Sequence, residues 1–161
     1  MNLVPGQTHL AVNSVVLADD DRDDHDFFSS ALKEISPSIQ LSIVKDGSEL
    51  LALLKHYMPD FVFLDLDMPS KTGLECLLEI RHDPKLKNMP VVVFSSTSRP
   101  ANITTAYDMG ADLFLIKPHT YHDLVSAIRG VFSLNWSAPS EIKKQFCVNG
   151  AYTAYTTEQT S

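Results

Sequence analysis

Asp19 and Asp20 follow directly on the apolar run Ser14 to Ala18, and within eight residues six are aspartates: Asp19, Asp20, Asp21, Asp23, Asp24 and Asp26. Two carboxylates about 4 Å apart repel by roughly 4 kcal/mol at an effective dielectric near 20, and a divalent cation reverses that repulsion. For Asp21, Asp23, Asp24 and Asp26 a solvated helix start, favoured by the helix dipole, is explanation enough. Asp19 and Asp20 are held at the end of a buried strand and are read as metal ligands. Three further apolar runs end in the same manner: FVFL in Asp65, with Asp67, Met68 and Pro69 behind it, VVVF in Ser95 and Ser96, and LFLI in Lys117 and Pro118. Taken singly, a serine or lysine after a strand is usually an exposed loop residue, so the conjunction carries the weight. Oxygen ligands suit magnesium, which uses one or two carboxylates together with water and phosphate oxygens. A carboxylate can then act as a nucleophile toward phosphorus, while a metal, an ammonium and a hydroxyl neutralise charge on the transferred group.

The elements that must bring these residues together alternate along the chain. Short β-branched or apolar runs at Ser14 to Ala18, Ile39 to Val44, Phe61 to Leu64, Val91 to Phe94 and Leu113 to Ile116 read as strands. Their near-continuous apolarity predicts burial on both faces, as in a parallel sheet covered by helices. Between them, Phe27, Phe28, Ala31, Leu32 and Ile35 share one helical face, and Leu50, Leu51, Leu54, Tyr57 and Met58 share another. Thr72 with Glu75 predicts a capping box for a third helix that Gly73 opens, and Asp46 with Glu49 does so for the second. A fourth helix is expected over Ala101 to Met109, ending at Gly110. A fifth starts at Thr120 and carries Leu124, Ile128 and Val131 on one stripe. Five strand–helix alternations predict a doubly wound α/β domain with right-handed crossovers, whose site lies beyond the carboxyl ends of the strands.

Composition limits the alternatives. The 161 residues leave room for one domain of ordinary size, and 44% hydrophobic with 20% charged residues is a globular composition. A formal net charge of −7 disfavours nucleic acid and anionic membranes as partners. With no basic residue ahead of the apolar positions at the N-terminus and no run long enough to span a bilayer, a cytoplasmic protein is expected. Cys76 and Cys147 fit neither a disulfide framework nor a zinc site and are read as free thiols.

Over residues 14 to 132 the chain resembles the receiver domain of two-component response regulators. VVLADD is similar to the family's first strand with its acidic pair, FLDLDMPSKTG to its phosphoacceptor loop, PVVVFSS to its switch strand and GADLFLIKP to its lysine–proline strand. The resemblance implies a flavodoxin-like five-stranded parallel sheet in the order 2-1-3-4-5. It further implies that Asp65 accepts a phosphoryl group, that Asp20 binds magnesium (with manganese as a substitute) directly and Asp19 assists through water, and that Asp67 adds its main-chain carbonyl. Ser95 takes the position of the hydroxyl that follows the phosphoryl group, Lys117 that of the lysine contacting it, and Ser96 that of a small residue whose N–H approaches it. Phe114 stands where the family has its aromatic switch; a plain core aromatic is the other reading. Asp67 and Thr97 occupy positions that modulate phosphoryl lifetime. A cis bond before Pro118 is also implied.

The donor would be a histidine kinase or a histidine phosphotransfer protein, and the reader an unknown protein target or a second copy docked through the fourth helix, fifth strand and fifth helix. Self-directed phosphorylation and dephosphorylation would be its only catalysis. Residues 1–13 are expected as a leader. Residues 133–161 look too short for an output domain, and Trp136, Pro139 and the polar end AYTAYTTEQTS read as a mobile tail or a docking arm. The rival function is a phosphatase of the haloacid dehalogenase type, because Asp65-Leu66-Asp67 after an apolar strand mimics its nucleophile motif. Against it, Pro69 replaces the expected Thr or Val, and the acidic pair comes first in the chain rather than late. A pseudo-receiver that only binds would lack Asp65, Lys117 or the acidic pair, and all are present.

Overall fold

The computed structural model describes residues 11–156. Five strands, β1 (Ser14–Ala18), β2 (Gln40–Val44), β3 (Phe61–Leu64), β4 (Val91–Ser95) and β5 (Leu113–Ile116), form one sheet in the order β2-β1-β3-β4-β5. Every neighbouring pair in it is parallel. The helices between them are α1 (Arg22–Ile35), α2 (Gly47–Leu54), α3 (Gly73–His82), α4 (Pro100–Asp108) and α5 (Tyr121–Ser133). The order reverses between β1 and β3, and a crevice at such a switch point is where a doubly wound sheet binds its ligand.

Local signals explain most boundaries. Asp46 accepts the Glu49 amide to start α2, Thr72 accepts the Glu75 amide to start α3, and Thr120 accepts the Asp123 amide to start α5. Asp21 caps α1 by accepting from Asp23 and Asp24. Burial on both faces holds for β1, β3, β4 and most of β5. It fails for β2, which is one of the sheet's two outer strands and half exposed. Phe27 and Met58, expected on buried helical faces, are 54% and 53% exposed. Phe27 lines an open surface pocket with Phe94, Lys117 and Leu124, and α2 stops at Leu54 before Met58 can continue its stripe.

Within a mainly aliphatic core, Phe28 meets Phe63 edge-on at 5.0 Å, and Phe61 meets Trp136 edge-on at 4.9 Å. Arg81, on α3, ties the amino ends of β4 and β5 together. Its guanidinium donates to the Gly110 and Met89 carbonyls and to Asp112, whose carboxylate also accepts the Val91 amide.

The segment after Phe132, expected as a mobile tail or a docking arm, packs against the domain as far as residue 156. Residues 134–156 are folded onto the domain as α6 (Pro139–Gln145) and a two-stranded hairpin of β6 (Cys147–Val148) and β7 (Ala151–Tyr152). Trp136, Ile142, Phe146, Ala154 and Tyr155 are buried there, because the segment carries enough apolar surface to repay its ordering. Residues 1–10 of the expected leader and 157–161 of the polar end lie outside the described residues. Among the described residues no helix is long and apolar enough to cross a membrane, and Cys76 and Cys147 are both free.

Candidate functional site

The sheet's own hydrogen bonding sets the site. The ladder runs one residue past the strand ends: the Asp19 amide donates to the Val44 carbonyl at 3.0 Å, Asp65 to Ala18 at 2.9 Å and Lys117 to Ser95 at 2.8 Å. Three functional side chains are thereby held by main-chain bonds at one edge of the sheet. Asp19, Asp65 and Ser95 are the buried polar or charged residues among those described, all at this edge. A charge so placed needs a partner.

Lys117 is that partner, and it serves three carboxylates. Its Nζ lies 2.7 Å from Asp24, 2.9 Å from Asp19 and 3.3 Å from Asp65, in each case from Oδ2. Burial alone would lower the lysine pKa, but Asp24, Asp19 and Asp65 outweigh it and hold the ammonium charged. The carboxyls are moved the other way. Burial pushes Asp19 up from 3.8 to about 6, although the Asp21 amide and Lys117 pull it down. Burial likewise raises Asp65, against Lys117 and the Asp67 amide.

One ammonium does not complete the set. Carboxylate oxygens of Asp19, Asp20 and Asp65 lie within 4.8 Å of one another. Asp19 Oδ1 accepts the Asp21 amide at 2.8 Å, whereas Oδ2 is buried without a hydrogen bond, its ion-pair contact with Lys117 lacking the alignment of one. A buried carboxylate oxygen that shares one ammonium and lies beside two further carboxylates fits a hard divalent cation such as magnesium or manganese.

The remaining expected residues lie around this centre. Ser95 is fully buried and its Oγ accepts the Thr97 amide at 3.3 Å, while Ser96 is exposed at the rim. Asp67 turns its side chain to solvent and gives its N–H to Asp65 Oδ1 at 3.2 Å. Phe114 is outside the site: it is buried in the middle of β5, three residues before Lys117. The bond before Pro118 is trans, as are all described peptide bonds. The family-derived expectation of a cis bond therefore does not hold here, and the trans isomer is the intrinsically favoured one.

Two contributors escaped sequence reasoning. Asp24, which the sequence suggests is a solvated helix-start residue, makes the shortest contact to Lys117. Its place in the first turn of α1, directly behind the strand-end pair, is the available signal. Gly73 was read only as a helix start. A Cβ there would lie 2.3 Å from the Asp65 carbonyl oxygen, so the close approach of α3 to the Asp65 loop requires glycine.

A family model described as the response regulator receiver domain matches residues 15–129. The response regulator Rcp1 of Synechocystis sp. is 29% identical over 126 residues, covering 74% of this chain and 86% of Rcp1. The transcriptional regulatory protein CpxR of Klebsiella pneumoniae is 31% identical over 129 residues, which cover 78% of this chain and 52% of CpxR, so the match spans about half of that relative. Among solved structures, the Mn(2+)-bound form of Rcp1 superposes with a TM-score of 0.69 at 28% identity, over 76% of this chain and 93% of that one. The phosphorylated cyanobacterial phytochrome response regulator RcpA gives 0.70 at 30% identity, over 75% and 91%.

Proposed function

The chain belongs to the response regulator receiver domain family, and on that premise we propose that it takes a phosphoryl group onto Asp65 from a phosphohistidine of a histidine kinase or phosphotransfer protein. A carboxylate oxygen of Asp65 attacks phosphorus, the phosphorus–nitrogen bond breaks, and the departing imidazole takes a proton. Lys117 and the Ser95 hydroxyl contact the transferred group, and the Ser96 amide donates to it. Magnesium, or manganese in its place, would be held by Asp19, Asp20, Asp65 and the main-chain carbonyl of Asp67. When bound it supplies positive charge to the equatorial phosphoryl oxygens.

The observation that carries this reading is the cluster of Asp19, Asp20 and Asp65, two of them also paired with Lys117, with a buried Asp19 oxygen left without a hydrogen bond. The manganese named with Rcp1 and the phosphorylation named with RcpA agree with it. The rival phosphatase reading draws no support from the site. Its second carboxylate, Asp67, is exposed, and the acidic residues beside Asp65 come from the end of β1.

The message is a population shift: Ser95 and Phe114 move toward a second arrangement of the face formed by α4, β5 and α5, which a target protein reads. The test is the amide NMR spectrum with magnesium and beryllofluoride, a stable mimic of the phosphoryl group. Wild type should change around Asp65, Ser95 and Lys117, and Asp65→Ala should not. An unchanged wild-type spectrum would sink the proposal.

A further inference from the structure

Lys117 is held from two sides, and the two are unequal. Its ammonium donates to Asp24 Oδ2 at 2.7 Å and to Asp65 Oδ2 at 3.3 Å, while its contact with Asp19 at 2.9 Å lacks hydrogen-bond alignment. A charge-assisted N–H···O bond at full strength spans about 2.7–2.9 Å. The lysine therefore leans toward α1 and reaches Asp65 only through a long bond. Phe94 adds to the hold on that side: its ring lies 5.4 Å from Nζ, and it lines one surface pocket with Asp24 and Lys117, of which neither Asp19 nor Asp65 is part.

Asp24 is itself fixed in place. It stands in the first turn of α1, where the Asp21 side chain that caps the helix accepts its amide. The carboxylate cluster suited to a cation is Asp19, Asp20 and Asp65, so Asp24 is left to the lysine.

We propose that Asp24 is a positioning residue that competes with the phosphoryl acceptor for Lys117, holding the ammonium against α1 in the resting site and yielding it once a phosphoryl group is on Asp65. The inference rests on Asp65 as the acceptor. An ammonium has three protons, and two of them already serve Asp24 and Asp65. In the phosphorylated state the negative charge of Asp65 passes to the phosphoryl oxygens, so these oxygens and the Asp24 carboxylate pull on one ammonium. Asp24 thereby weakens the hold of the site on the phosphoryl group, and its removal leaves the lysine wholly to that group.

The test measures the affinity of the full chain for beryllofluoride at saturating magnesium, by amide NMR, in wild type, Asp24→Asn, Asp24→Ala and Asp23→Asn. Lysine-selective 15N labelling follows the Lys117 ammonium in the same samples, its signal assigned by its loss in Lys117→Met. Asp24 is only partly buried, and two replacements guard against one misfolded variant. Both Asp24 variants should bind beryllofluoride about fivefold more tightly than wild type, the size expected of one partly exposed ion pair. Both should also shift the Lys117 signal before any beryllofluoride is added. Asp23→Asn removes the same charge from an exposed neighbour and should change affinity less than about twofold. An equal gain in Asp23→Asn would show a plain charge effect and overturn the competition. Unchanged binding by the Asp24 variants, or an unmoved Lys117 signal, would overturn it as well. Weaker binding would show that Asp24 steers the lysine toward the phosphoryl group, the opposite of the proposal. Wild type that takes no beryllofluoride would instead overturn the reading of Asp65 on which the inference rests.

Discussion

Asp19 is a site carboxyl whose ionisation the fold resists. Its carboxyl is raised by burial from 3.8 to about 6, so it binds its proton more tightly folded than unfolded. That favours the fold below about pH 4 and is lost as pH rises through about 6. Relative to Asp19→Asn, wild type without metal should lose on the order of 2–3 kcal/mol of stability across that window, as followed by urea unfolding at a series of pH values. Millimolar magnesium should restore much of the loss at neutral pH in wild type alone. Parallel pH profiles would show that Asp19 is not strained by its charge. A second residue-scale expectation concerns Arg81, whose removal leaves the Asp112 carboxylate largely buried and unpaired. Arg81→Ala should cost about 3–5 kcal/mol, measured in the same unfolding assay, while Asp65 chemistry persists in the folded fraction.

At the scale of elements, Gly73 makes the sharpest prediction. The start of α3 is packed so closely on the Asp65 loop that Gly73→Ala must push one from the other. Stability should fall by about 1–3 kcal/mol, and the rate of phosphoryl acceptance should fall further than for a comparably destabilising change such as Leu77→Ala deep in the same helix. Equal effects would show that the loop tolerates displacement. The sequence revealed the strands here because each is a short apolar run closed by a chemically conspicuous residue, and it revealed α2, α3 and α5 because Asp46, Thr72 and Thr120 announce their starts. Asp24 stayed hidden because its neighbours are also aspartates, and only the orientation of α1 picks it out. Phe27 and Met58 have the right helical period, but one faces an open pocket and the other lies past the end of α2, which periodicity cannot report.

On the scale of the whole molecule, the doubly wound architecture and the edge bearing the site were readable from alternation and strand-end chemistry, whereas the strand order came from the family resemblance. The fold of residues 134–156 was not readable, since its partners, among them Phe61, Tyr107, Phe114 and Gly130, are distant in sequence and no local pattern encodes such contacts. Trp136 is the clearest case: in a polar-flanked stretch it looks like a tail residue, yet it packs edge-on against Phe61 and donates to the Val131 carbonyl. Trp136→Ala should therefore destabilise the whole domain by about 3–5 kcal/mol, seen as a lower Tm of the single transition. A loss confined to local fraying would mean that the extension is only loosely attached. Phosphoryl acceptance at Asp65 is the claim on which the functional account stands, and trapping the acyl phosphate tests it most directly. The chain is incubated with magnesium and acetyl phosphate, reduced with borohydride, and mapped by peptide mass spectrometry. Conversion of Asp65 to homoserine, dependent on magnesium and lost in Asp20→Ala, is the predicted result; unmodified Asp65, or homoserine at another aspartate, would contradict it.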